Sequence, residues 1–125
     1  MTAHTLPKSE RLRSLGAVRR LFSDGRSGFV YPFRYMIFTE ESASPTIEVL
    51  FSVPKRYHKR ANKRNLLRRR TKEAYRLNKE VVTNIATERG KALDMALVYS
   101  VKELVPYKTI ENAVRRILQE VGSNM

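Results

Sequence analysis

The sequence predicts an α+β fold, a compact two-layer α/β sandwich in which a small, mostly antiparallel sheet is packed with helices. Three observations carry that prediction. Two stretches in the first half alternate large apolar residues with other types, helical periods precede and follow them, and the order is helix, strands, basic helix, strand, helix. With 125 residues, 42% of them apolar and 30% charged, the chain can build one modest core, so residues 1–125 are assigned to a single domain.

The first twelve residues are polar, mix Lys8, Glu10 and Arg11 with Pro7, and show no apolar period, which predicts an extended lead-in. A helix follows. Ser14 suits its N-cap, Val18, Leu21 and Phe22 recur at helical spacing, and Gly25 stands where helices commonly leave through a left-handed residue. Between Phe29 and Phe38 the alternation Phe29, Tyr31, Phe33, Tyr35, Ile37 places large residues on one face of an extended chain. Pro32 has no ladder donor, so the stretch is an edge strand there, or two short strands with a break. A turn through Glu40 to Pro45 leads into Thr46 to Val53, where Ile47, Val49, Phe51 and Val53 alternate again, and the two stretches are expected to pair antiparallel.

A basic helix continues toward Ala86 and gives way to a loop at Gly90, after which Ala92 to Val101 reads as a buried strand. Pro106 suits the first turn of a last helix, in which Tyr107, Ile110, Val114, Ile117, Leu118 and Val121 keep a helical period until Gly122.

Charge is the main functional clue. Lys and Arg number 25 against 12 acids, a formal net charge of +13, which favours a polyanionic partner through long-range attraction and counterion release. The excess is local: Lys55 to Arg76 (KRYHKRANKRNLLRRRTKEAYR) holds eleven bases and one acid, Glu73, while the other 103 residues carry 14 bases and 11 acids. A merely solvated helix face interleaves acids as i,i+4 partners, and this run offers only Glu73. A membrane surface is the second polyanion to weigh, but it needs a free apolar face, and here that face is needed for the core.

At about 100° per residue, Arg60, Arg64, Arg68, Lys72 and Arg76 step around one side of the basic helix with Asn65 and Arg69 beside them. Leu66, Leu67, Ala74, Leu77 and Val81 gather on the other side, and Lys63 and Arg70 fall within that apolar arc, so their stems must snorkel. Arginine grips phosphate oxygens with a planar donor fork and stacks on bases, and Asn65 can bond a base edge or a ribose hydroxyl. Tyr57 and Tyr75 are candidate stacking platforms. The aromatic stripe suits a core, yet Arg34 and Met36 alternate with it, and a sheet face of that composition can hold unpaired nucleotides.

Other chemistry is hard to place. With no cysteine there is no disulfide, thiolate nucleophile or Cys-ligated metal site. His4 and His58 have no acid spaced for a triad or metal motif, and no glycine-rich phosphate loop occurs. The start, MTAHTLPKSERLRS, lacks the apolar stretch of a secretory signal and no apolar run is long enough to span a bilayer, so a cytoplasmic protein with no membrane association is expected. On residue chemistry alone this is a binding protein.

The segment SVPKRYHKRANKRNLLRRRTKEAYR closely resembles the signature of the protein subunit of bacterial ribonuclease P. LPKSERLRS, the helix ending LFSDG, the YPFRYMIF strand and the last amphipathic helix also sit where that family has comparable elements, so the resemblance covers nearly the whole chain. It implies a ribosomal-protein-like sandwich with a left-handed crossover. It also implies a protein with no catalytic residues of its own, which binds a catalytic RNA and the 5′ leader of precursor tRNA while the RNA cleaves with Mg²⁺. No cofactor is implied for the protein alone, and the free protein is expected to be a monomer.

Residue by residue, the family motif falls on Arg64, Asn65, Arg68, Arg69 and Lys72, with Lys55, Arg56, Lys59 and Arg60 upstream. Lys63 and Arg76 complete the expected RNA-binding set. Leu66 stands where a second Arg is usual, with Arg70 near enough to compensate, and Lys72 keeps the charge of a later Arg but loses the fork. The family's leader cleft, formed by the sheet face and first helix, maps to Phe22, Arg34 and Met36. The alternative is a standalone RNA-binding or ribosome-associated protein with no nuclease role.

Overall fold

The computed structural model describes residues 15–125, and the elements run α1 (Leu15–Asp24), β1 (Arg26–Val30), β2 (Phe33–Glu41), β3 (Ile47–Ser52), α2 (Ala61–Asn78), α3 (Glu80–Arg89), β4 (Lys91–Tyr99) and α4 (Tyr107–Ser123). The expected lead-in over residues 1–12 and the Ser14 cap lie outside the described residues. One sheet has the order β1-β2-β4-β3. Strand β2 is antiparallel to both β1 and β4, and β3 runs parallel to β4.

That order corrects the expected pairing of the Phe29–Phe38 stretch with Thr46–Val53, because β4 lies between them. The reason is burial. From Leu93 to Leu97 every residue of β4 is buried, so the strand needs cover on both faces and takes a central place, whereas β3 alternates buried and half-buried positions and suits an edge. Parallel neighbours need a long crossover connection, and α2 with α3 supplies it.

The break at Pro32 is real. The chain reverses at Tyr31-Pro32, a cis peptide, and β1 folds back on β2 with Phe29 opposite Arg34 and Val30 opposite Phe33. The single aromatic face is therefore split. Phe33 and Ile37 are buried and Tyr35 is half-buried, while Phe29 and Tyr31 stay exposed.

Helices α2, α3 and α4 cover one face of the sheet. Leu67, Ala74, Tyr75, Val82, Ala86, Ile110, Val114, Ile117 and Leu118 pack there with Phe33, Val49, Phe51, Leu93, Met95, Leu97 and Tyr99 of the strands. Helix α1 lies on the other face, where Leu21 packs with Ala96, Met36, Phe38, Leu50 and Val98. Gly25 ends α1 for a reason other than the expected left-handed turn, since Gly90, at the C-cap of α3, is the glycine with positive φ (64°). A Cβ on Gly25 would stand 2.3 Å from the Leu21 carbonyl oxygen and 2.8 Å from that of Ile37. Close backbone approach, not handedness, selects glycine there.

The buried seam of α2 is Leu67, Thr71, Ala74 and Tyr75, at helical spacing. It is rotated from the arc expected of Leu66, Leu67, Ala74, Leu77 and Val81. Leu66 is half-buried, Leu77 is exposed, and Val81 belongs to α3. A tyrosine and a threonine carry the seam. The Tyr75 ring meets Phe51 edge to face at 5.7 Å, and the Thr71 hydroxyl donates to the Leu67 carbonyl at 2.7 Å, which satisfies the threonine inside the seam. Tyr75 is thus a core residue and not a stacking platform.

Candidate nucleic-acid interface

The basic segment begins in the loop between β3 and α2, where its geometry is set by backbone and buried contacts. The amides of Tyr57 and His58 donate to the Pro54 carbonyl at 3.2 and 3.3 Å, which closes a turn. His58 is buried, sets its ring edge-on to Tyr99, and pairs Nε2 with the Val101 carbonyl at 2.9 Å. It pins the loop to the end of β4. Arg64 reaches back from the first turn of α2 and donates to the carbonyls of His58 and Lys59 at 3.0 and 2.7 Å. Lys55, Arg56, Lys59 and Arg60 are left exposed around this fixed turn, with the Arg56 guanidinium 5.0 Å from the Tyr57 ring centre.

Helix α2 then presents Asn62, Asn65, Arg68, Arg69 and Lys72 along one side, where they line an open depression of about 440 Å³. Lys63 is exposed beside it. Arg68 donates to the Asn65 side-chain oxygen at 3.2 Å, which ties the two side chains together and uses the amide's acceptor, not its donors. At the far end Arg76 pairs with Glu73, its Nε donating at 3.1 Å, and that guanidinium holds the Glu73 carboxyl below the usual carboxylate range. Arg70 is engaged elsewhere. It donates to the Val105 carbonyl at 3.2 Å, which ties α2 to the loop before α4, so it does not stand in for the guanidinium missing at Leu66.

The second face of the sheet is only partly covered by α1. Phe22, on α1 beside the buried Leu21, is 49% exposed, Arg34 on β2 is exposed, and Met36 is half-buried under the helix. Arg34 and Met36 alternate onto the sheet face that α1 covers and Phe22 lies on α1 itself, so the expected cleft residues belong to a different surface from the α2 depression. Arg20 fastens α1 there. It makes ion pairs with Asp94 (3.2 Å) and Glu40 (3.5 Å), and its guanidinium lies 4.5 Å from the Phe38 ring centre.

Glu48 lies opposite Asp94 in the β3–β4 register, so the two carboxyls share one face of the sheet. Burial, then the Asp94 charge, push the Glu48 carboxyl above its ordinary value against the opposing pull of Arg20. The native state then binds more protons than the unfolded chain just above the ordinary glutamate range, so this group's contribution falls as pH rises through that window. Glu48→Gln is expected to raise the urea midpoint at pH 7, with the gain shrinking as pH falls toward about 4.3 and lost below it. A lower midpoint at pH 7 contradicts this assignment.

Two residues of these surfaces escaped the sequence reading. Asn62 lies one turn before Asn65 and could have been found from that spacing alone. The alternation groups Phe29 with the aromatic stripe, and only the reversal at Tyr31-Pro32 puts it on the Arg34 side.

Among the described residues no group of three or more His, Asp or Glu could hold a metal ion, and no helix is long and apolar enough to cross a membrane. The family model described as Ribonuclease P matches residues 6–122. The chain is 34% identical over 122 residues to the Ribonuclease P protein component of Porphyromonas gingivalis, covering 96% of this chain and 88% of that one. It is 31% identical over 135 residues to the protein of the same description from Chlorobaculum tepidum, covering 97% and 85%. RNase P protein structures from Thermotoga maritima and Staphylococcus aureus align with TM-scores of 0.69 and 0.68. Those alignments cover 89% and 91% of this chain and 96% of each of the others, and at 22% and 17% identity they speak for the fold. Sequence match over nearly the whole length, motif and fold agree, and the chain belongs to the ribonuclease P protein family.

Proposed function

We propose that this chain binds a catalytic RNA through the outer face of α2 and holds the 5′ leader of precursor tRNA on the sheet face beside α1, promoting endonucleolytic 5′ maturation. The observation that carries the reading is the depression on α2, where Asn62, Asn65, Arg68, Arg69 and Lys72 face solvent together in a chain of this family. Three cations there suit phosphates, and two amides suit base edges or ribose hydroxyls. Lys55, Arg56, Lys59, Arg60 and Lys63 extend the contact around the loop, Arg64 fixes that loop, and Arg76 contributes from the end of the helix. Phe22, Arg34 and Met36 hold the leader, the first by stacking and the second through its guanidinium.

Hydrolysis is assigned to the RNA with its Mg²⁺. Among the described residues no cluster of His, Asp or Glu is placed to hold an ion. We place the free protein as a monomer in the cytoplasm, where precursor tRNA is made. The family membership leaves no observation in favour of a ribosome-associated protein without a nuclease role. The test is reconstitution at low Mg²⁺ with purified protein, transcribed partner RNA and precursor tRNA. The RNA with protein should release the 5′ leader faster than the RNA alone, and the protein alone should release none. Absence of acceleration, or specific cleavage by RNA-free protein with contaminating nuclease excluded, overturns the proposal.

A further inference from the structure

The rows of side chains across the second face of the sheet differ sharply in character. Cross-strand partners share a face, so the register places Phe29, Arg34, Val98 and Ser52 in one row and Ser27, Met36, Ala96 and Leu50 in the next. The following row holds Phe38, Asp94 and Glu48. The acids of this face lie at that end, where Arg20 of α1 engages Asp94 and Glu40. The Phe29 row has none.

Arg34 makes no ion pair or side-chain hydrogen bond with a described residue, and it stands beside a phenylalanine that is 57% exposed and belongs to neither apolar cluster. The row crosses four strands, roughly 14 Å at about 4.8 Å per strand spacing. Its β3 end, Ser52, leads within four residues to Lys55 and Arg56. An aromatic face, an unengaged guanidinium and a neutral floor that runs to a basic loop form a track for a single strand, with bases on the ring and phosphates on the cations.

We propose that Phe29 is a stacking residue for one unpaired RNA nucleotide, carrying the leader track past Arg34 to the edge strand β1. The inference rests on the reading of the sheet face as the leader surface and adds a position to it. It also gives the exposed ring a use that the split of the aromatic stripe would otherwise leave without one. Because every base has a π face, this position reads leader length more than leader sequence.

The test uses the reconstituted ribonucleoprotein and precursor tRNAs whose uridine leaders lengthen one nucleotide at a time. With native protein, affinity should rise in steps as the leader fills the track. In Phe29→Ala one step should be missing, and the ratio of short-leader to long-leader dissociation constants should fall about five- to a hundredfold. Phe29→Trp should keep the step, which separates stacking from a fold defect. Native-like steps in Phe29→Ala overturn the inference while leaving the leader surface in place. No dependence on leader length even with native protein overturns both.

Discussion

Tyr75→Ala is expected to cost about 3–5 kcal/mol of folding stability, the usual loss for a large aromatic removed from a core. Tyr75 lies wholly buried on the seam of α2, edge-on to Phe51 of β3, so its ring joins the basic helix to the sheet. Its removal should loosen the attachment of α2 itself. Tyr57→Ala, in the half-exposed loop, should stay within about 0.5 kcal/mol of the native protein. Urea unfolding followed by circular dichroism measures both. A Tyr75→Ala protein of near-native stability but weakened RNA binding would restore the stacking role that the structure removes.

Replacing Arg68 and Arg69 together by Ala should weaken assembly with the partner RNA and flatten the logarithmic dependence of affinity on salt. Each phosphate no longer neutralised lowers that slope by about 0.7–0.9, so two lower it by roughly 1.4–1.8. Arg69 is exposed and Arg68 is tied to the exposed Asn65, so neither substitution opens the core, and the effect should appear without unfolding. Arg64→Ala should behave differently. Its guanidinium donates to the His58 and Lys59 carbonyls, so removing it frees the loop that presents Lys55 to Arg60 and weakens several phosphate partners at once instead of deleting one. Filter-binding titrations from low to moderate salt report the slopes. An unchanged slope in a folded Arg68→Ala, Arg69→Ala protein would take the α2 face out of the interface.

Much of this architecture is legible in the sequence because periodicity reports burial directly. The alternation Ile47, Val49, Phe51 gives β3, and the apolar run from Ala92, broken only by Asp94, gives the central strand. Strand order is not local information, so β3 and the Phe29 stretch look like neighbours in sequence although β4 separates them. The rotation of the α2 seam is hidden because tyrosine and threonine supply half of it, and a count of Leu and Ala alone points to the wrong arc. The charge run marks the proposed interface, yet charge does not tell which arginines already hold a partner within the chain. Arg64 turns back onto carbonyls five and six residues earlier and Arg70 ends on the Val105 carbonyl 35 residues away, and composition reveals neither.

If two separate surfaces do two jobs, damage to each must leave a different signature, and one set of dissociation constants distinguishes them. These are measured for the partner RNA, and for long-leader and short-leader precursor tRNA on the assembled particle, with Phe22→Ala and the Arg68→Ala, Arg69→Ala double variant. Phe22 is half exposed, so its replacement should leave the fold intact. Phe22→Ala should lower the advantage of the long leader about five- to a hundredfold, from a stacking worth of about 1–3 kcal/mol per base, without a matching drop in partner-RNA affinity. The double variant should weaken assembly whatever the leader length. Equal losses for long and short leaders in a stably folded Phe22→Ala protein would contradict the division of labour between the two surfaces.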